Sequence, residues 1–285
     1  MADTLAATPV PVAANADRGW WICLAVLGAL ALVCIAGPWF SRYTPDDTDW
    51  LHLSVAPGLA HGHWLGTDAI GRDVFVRLCV GGRLSLLIGL VASALALVVG
   101  MGYGVVAGYC GGLVDAALMR VLDMISALPF LLIVILLVTL FERSLVLLLA
   151  AIGGYVWIDL ARVMRAEAAR LRGLAFVDAA RVAGASGFRI MWRHIAPNLA
   201  GLALVYLSLG VPNAILIESF LSFLGLSVDE PSASWGAMLA DGTLEMEAAP
   251  WTLLAPALAL ATTLIACQFL GEALRRRLDP RRAWA

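Results

Sequence analysis

Long apolar runs alternate along this chain with short stretches rich in Arg, Gly and Pro. A helix rises about 1.5 Å per residue, so roughly 20 apolar residues cover a hydrocarbon core of ~30 Å. Six stretches reach or approach that length: Trp20–Phe40, Leu84–Ala107, Met124–Phe141, Ser144–Ile158, Leu199–Ile217 and Trp251–Leu270. The fourth is short, and the reading carries it on through Asp159 into the next few residues. The pattern predicts an all-α, polytopic membrane protein with six transmembrane helices. Residues 1–83 read as an N-terminal segment with the first span and a long loop. Residues 84–285 read as a five-helix core that includes a polar connection at 162–198.

Local signals refine this. Gly100, Gly104 and Gly108 recur every four residues in the second span, a spacing that lets two helix backbones approach closely in lipid. Gly210 and Pro212 predict a break or kink in the fifth. The segment from Ser222 to Pro250 mixes Pro, Gly and Trp with apolar residues. It reads either as a structured loop or as a piece folded back on the membrane, with Trp235 near the headgroups.

The most informative polar stretch runs from Phe176 to Pro197, FVDAARVAGASGFRIMWRHIAP. Asp178 opens a short helical run and Gly184 ends it. Small residues on a water-exposed helix between two spans leave room for close approach, which suits a docking surface that passes force to the membrane helices.

Composition agrees with the pattern: 61% of the 285 residues are hydrophobic and 14% charged, against about 25% charged in soluble domains. All 19 cations are Arg. A phosphate-binding P-loop needs its Lys, so ATP chemistry, if any, must come from another subunit. A net charge of −2 gives no reason to expect nucleic acid. Arg162, Arg165, Arg170, Arg172, Arg181, Arg189 and Arg193, with the Arg-rich tail from Arg275 to Arg282, put those regions and both termini in the cytoplasm. Arg42, Arg72, Arg77 and Arg83 then sit on the opposite side, against the trend. The N-terminal apolar run is too long for a cleavable signal.

No catalytic arrangement is visible. Glu218 and Asp159 lie near span ends and read as pathway, gate or interface residues, with Trp235 beside them. A proton-coupled secondary transporter using Glu218 is the rival reading, and a scaffold without transport is another. His52, His61 and His63 read as surface residues rather than metal ligands, since a metal needs three or four converging donors. The five cysteines form no CxxC pair and read as small buried hydrophobes.

DAARVAGAS followed by RHIAP resembles the EAA loop of bacterial ATP-binding-cassette importers. Asp178, Ala179, Ala180, Gly184 and Pro197 fit that pattern, with Asp in place of Glu and Ala196 in place of Leu. A second triplet, Glu167-Ala168-Ala169, lacks the later half. HWLGTDAIGRDVFVRLCVGGRLSLLIGL, AGYCGGLVDAALMRVLDMISALP, ESFLSFLGL and LGEALRRRLDPR are similar, in the same order, to C-type permeases of dipeptide, oligopeptide and nickel importers. The resemblance implies a type I importer permease fold in the bacterial inner membrane. It also implies a second homologous permease, two cytoplasmic ATP-binding subunits that hold ATP and Mg, and an extracytoplasmic substrate-binding protein. No cofactor is expected in this chain. Asp178, Ala179, Ala180, Arg181, Gly184, Ala185 and Pro197 would couple to the ATPase, and peptide is the expected cargo, with nickel or a metallophore as the alternative.

Overall fold

A computed structural model describes residues 13–59, 61–141, 143–226 and 233–278. Among them every regular element is a helix: α1 Ala13–Ala36, α2 Val74–Cys110, α3 Gly112–Ser126, α4 Phe130–Leu140, α5 Leu145–Arg172, α6 Ala175–Val182, α7 Gly187–Ile190, α8 Ala196–Phe223, α9 Trp235–Glu245 and α10 Pro250–Leu278. A 3₁₀ turn, Gly37–Phe40, ends α1, and a π turn, Met191–Ile195, joins α7 to α8. Local chemistry sets several starts. The Asp73 side chain accepts from the Val76 N–H and begins α2, Ser144 does the same for α5 and Ser234 for α9.

Among the described residues, five helices are long and apolar enough to cross a membrane, and a bent pair supplies a sixth crossing if counted as one. That pair corrects the expected span Met124–Phe141. The helix stops at Ser126, restarts at Phe130, and the two axes differ by 73°. Pro129 is the cause, because it disfavours helical geometry in the residue before it. The 11 residues of α4 cover only about 16 Å, roughly half a hydrocarbon core.

The second span begins at Val74, ten residues before Leu84, so the boundary drawn at residue 83 falls inside α2. Arg77 and Arg83 hid those turns by interrupting the apolar run. The fourth span also continues well past Asp159, to Arg172. In the fifth, α8 passes through Gly210 and Pro212 without interruption. Trp235 is fully buried, not at a headgroup surface, and its indole N–H donates to the Leu78 carbonyl at 3.0 Å.

Lipid tails are as apolar as Leu, so helices in a membrane gain little hydrophobic energy by pairing and depend on close packing. The α2–α5 contact supplies it. Cβ atoms added at Gly100 and Gly104 would sit 2.9 Å from the Trp157 carbonyl oxygen and 2.6 Å from that of Ala161. One at Gly108 would overlap the Arg165 carbonyl. Both helices thus meet every fourth residue, backbone against backbone.

The loop from Ser41 to Asp73 folds onto the start of α2 and onto α9. Arg77 bridges Asp68 at 2.7 Å and Asp241 at 3.1 Å, the Ala69 N–H donates to Glu245, and the Trp251 indole donates to the Thr67 carbonyl. Arg72 binds Asp68, and Arg83 donates to the carbonyls of Cys34 and Ile35 at the end of α1. Three of the four arginines that ran against the charge bias therefore have fixed local partners.

Candidate functional site

The chain between α5 and α8 forms a raised knob. Val177 on α6 is fully buried and joins Val105 of α2, Met164 and Ala168 of α5, and Leu199 of α8 in one core cluster. That anchor leaves Asp178 and Ala179 on the outer face and Ala180 half-buried. The helix opens at Ala175, three residues ahead of Asp178, which lies in its first turn and suits the positive end of the helix dipole. Asp178 binds Arg181 at 2.9 Å.

Gly184 ends the helix. Its φ is +78°, a conformation that glycine adopts without steric cost. The Ala185 N–H donates to the Ala180 carbonyl at 3.0 Å and the Gly184 N–H to that of Arg181 at 2.9 Å. This is the paired hydrogen-bond pattern of a left-handed C-cap. Ala180 and Ala185 pack against the same core. Pro197 stands exposed in the first turn of α8, directly after the π turn.

Around the knob, Val182 is 90% exposed and Phe188 70% exposed. Phe188 and Trp192 have ring centroids 6.3 Å apart. Phe176 and Leu174 complete an apolar collar with Arg181, Arg189 and Arg193 among it. The second triplet, Glu167-Ala168-Ala169, lies inside α5 with Ala168 buried beneath Gly108.

The three pathway candidates part company. Asp159 is nearly fully exposed on its side chain and lines an open cavity of about 210 Å³ between α2, α5 and α8, with Ser93, Tyr155, Tyr206 and Asn213. Glu218 is fully buried. Its carboxylate accepts from the Ser85 hydroxyl at 3.0 Å, Ser222 at 2.6 Å and Ser219 at 3.4 Å. Ser234 donates on to Ser222, and the Trp235 N–H donates to Ser85. The cage ties α2, α8 and the start of α9 together, and Trp235 belongs to that joint. A buried carboxylate needs such donors to offset its desolvation.

The sequence family described as the inner membrane component of binding-protein-dependent transport systems matches residues 100–284. The N-terminal transmembrane domain of oligopeptide transport permease C matches residues 16–57. The chain belongs to this family. Over 258 residues it is 48% identical to the oligopeptide transport system permease protein OppC of Escherichia coli, covering 90% of this chain and 85% of that one. It is 46% identical to the OppC of Haemophilus influenzae over 90% and 83%. With the dipeptide transport system permease protein DppC of Bacillus subtilis it shares 37% identity over 90% and 80%.

As a member of this family, the permease has the type I importer fold. It is a multi-pass membrane protein and a transport component rather than an enzyme. Two features of the permease escaped the sequence. The serine cage of Glu218 left a partial trace, since Ser222 lies one helical turn away on the same face. The burial of His63 left none, because a loop histidine carries no periodic signal.

Proposed function

We propose that this chain is one of two related permease subunits of an ATP-driven peptide importer, and that the α6 knob is where a cytoplasmic ATPase grips it. The observation that carries the reading is the knob itself. It is a capped helix held to the α2–α5–α8 core by Val177, with Asp178, Ala179 and Gly184 outward and an apolar collar around it. A force applied there loads three membrane helices at once. The relatives above are named for oligopeptide and dipeptide transport, which supports peptide cargo and gives nickel no support.

In this reading the knob, its arginines and both termini face the cytoplasm. ATP and Mg²⁺ are held by two ATPase subunits, and a substrate-binding protein delivers cargo to the opposite face. Closure of the ATPase pair draws the two permeases' knobs together and opens the cavity beside Asp159 to the other side. Glu218, sealed in its cage, is a structural joint rather than a proton relay.

Cross-linking tests this in the assembled transporter. A cysteine at Ala179 should cross-link to the ATPase subunit, with a yield that changes when ATP binds. A cysteine at Leu51, 89% exposed in the other loop, should give no such product. Full uptake without any cross-link from position 179 would overturn the assignment.

A further inference from the structure

The loop between α1 and α2 brings three donors to one point. Ligand atoms of Asp49, His52 and His63 all lie within 4.8 Å of one another. His63 is 1% exposed, and its Nδ1 lies 2.8 Å from an Asp73 carboxylate oxygen. Asp73 accepts from Nδ1, so in the neutral ring Nε2 is the nitrogen left with a lone pair to give. That Nε2 is buried without a hydrogen-bond partner, and it faces Asp49 Oδ2 at 3.6 Å. Two electron-rich atoms that face each other repel unless a cation, a proton or a metal ion, lies between them.

We propose that this pair, together with His52, binds a divalent transition-metal ion of the zinc class. The donor set of two imidazoles and one carboxylate is one that such ions accept, and it is a poor set for Mg²⁺ or Ca²⁺, which prefer oxygen. Asp73 on the far nitrogen of His63 is the outer carboxylate that fixes a metal-bound imidazole's tautomer and raises its basicity. His52 Nδ1 already lies 2.8 Å from Asp49 Oδ2. On binding, its ring shifts its proton to Nε2 and gives the Nδ1 lone pair to the ion. Water closes the coordination.

The donors are held in place before any ion arrives. The Asp49 N–H donates to the Gly71 carbonyl at 3.0 Å, and Thr67 donates its hydroxyl to the His52 carbonyl at 2.6 Å. Tyr43 stacks on the His63 ring at 4.2 Å. Residues 66–73 thus position all three ligands and run directly into α2, whose N-cap is the same Asp73 that orients His63. The ion would fasten the loop to the second span. It is a resident ion and not cargo, so the assignment stands apart from the peptide reading above.

The test uses the full transporter in detergent, stripped with a chelator and titrated with Zn²⁺, then with Co²⁺ as a spectroscopic stand-in. Wild type should take up one Zn²⁺ per copy of this chain, resist competition by excess Mg²⁺, and gain thermal stability on binding. Co²⁺ should give the visible bands of a low-coordinate nitrogen–oxygen site. His52→Ala and Asp49→Asn, both at partly exposed positions, should fold normally and weaken binding at least tenfold. Equal zinc affinity in wild type and both variants would overturn the proposal, as would a folded wild type that takes up no zinc.

Discussion

Substitution at Gly184 separates what the chain imposes from what a partner imposes. Among the described residues, nothing beyond its chain neighbours lies within 4 Å of where a Cβ at Gly184 would be, while its φ of +78° is left-handed. Any L-residue there meets a backbone cost of about 1–2 kcal/mol, equivalent to roughly 5- to 30-fold in the capped-to-uncapped ratio of the helix end. Asn, which tolerates this region, meets less of it. Ala and Trp share the backbone cost, and neither clashes with the chain where the Cβ enters. Additional loss with Trp then reports on the space around the knob beyond the Cβ, which in the proposed reading another subunit occupies. The assay is peptide uptake by the reconstituted transporter, with ATPase co-purification and membrane abundance measured on the same samples. Gly184→Asn should stay near wild type, Gly184→Ala should fall several-fold, and Gly184→Trp should abolish uptake at normal abundance. Equal losses in Ala and Trp would show that the cap alone matters and would refute a docked partner at this point.

Other substitutions probe the rest of the frame. Glu218→Ala should lower abundance in the membrane, because it strands the hydroxyls of Ser85 and Ser222 at about 1–3 kcal/mol each; Glu218→Gln should keep normal uptake per molecule and no sensitivity to proton gradients, read by uptake with and without an uncoupler. Gly104→Leu should force α2 from α5 and cost about 1–3 kcal/mol or more, seen as aggregation on size exclusion. Burial holds the Glu245 carboxyl above its ordinary range, with Asp68 and Asp241 adding to the effect. The unfolded chain therefore ionises first as pH rises, so Glu245 subtracts stability once pH exceeds the unfolded value and reaches its full cost above the folded one. Glu245→Gln should stabilise the fold slightly at pH 7, by less than about 1 kcal/mol given its partial exposure, read as a small rise in Tm, with no gain at pH 4.

What could be read from the chain follows from how local each signal is. Gly184 announced its helix end because a left-handed cap involves a few consecutive residues, and the glycines of α2 announced a packing seam because their spacing is regular. Pro129 was equally local, yet it was submerged in an apolar run long enough to pass for a span. Arg77 and Arg83 shortened α2 in the sequence reading, because nothing near them reveals that Asp68, Asp241 and the carbonyls ending α1 neutralise or cap them. The cage of Glu218 joins residues up to 150 positions apart, Ser85 and Trp235, and His63 owes its burial to Tyr43 and Asp73. Such placements emerge only when separate helices are brought together. The knob was therefore legible while the joints that hold the frame were not.

The glycine seam between α2 and α5 has a mechanical corollary. Where carbonyls of one helix touch the α-carbons of another at three successive turns, no intermediate sliding position exists; the next register lies a whole turn away, about 5.4 Å. The two helices must then swing as a single strut, so a tilt imposed beside Ala168 reappears, undamped, at Asp159 and beyond.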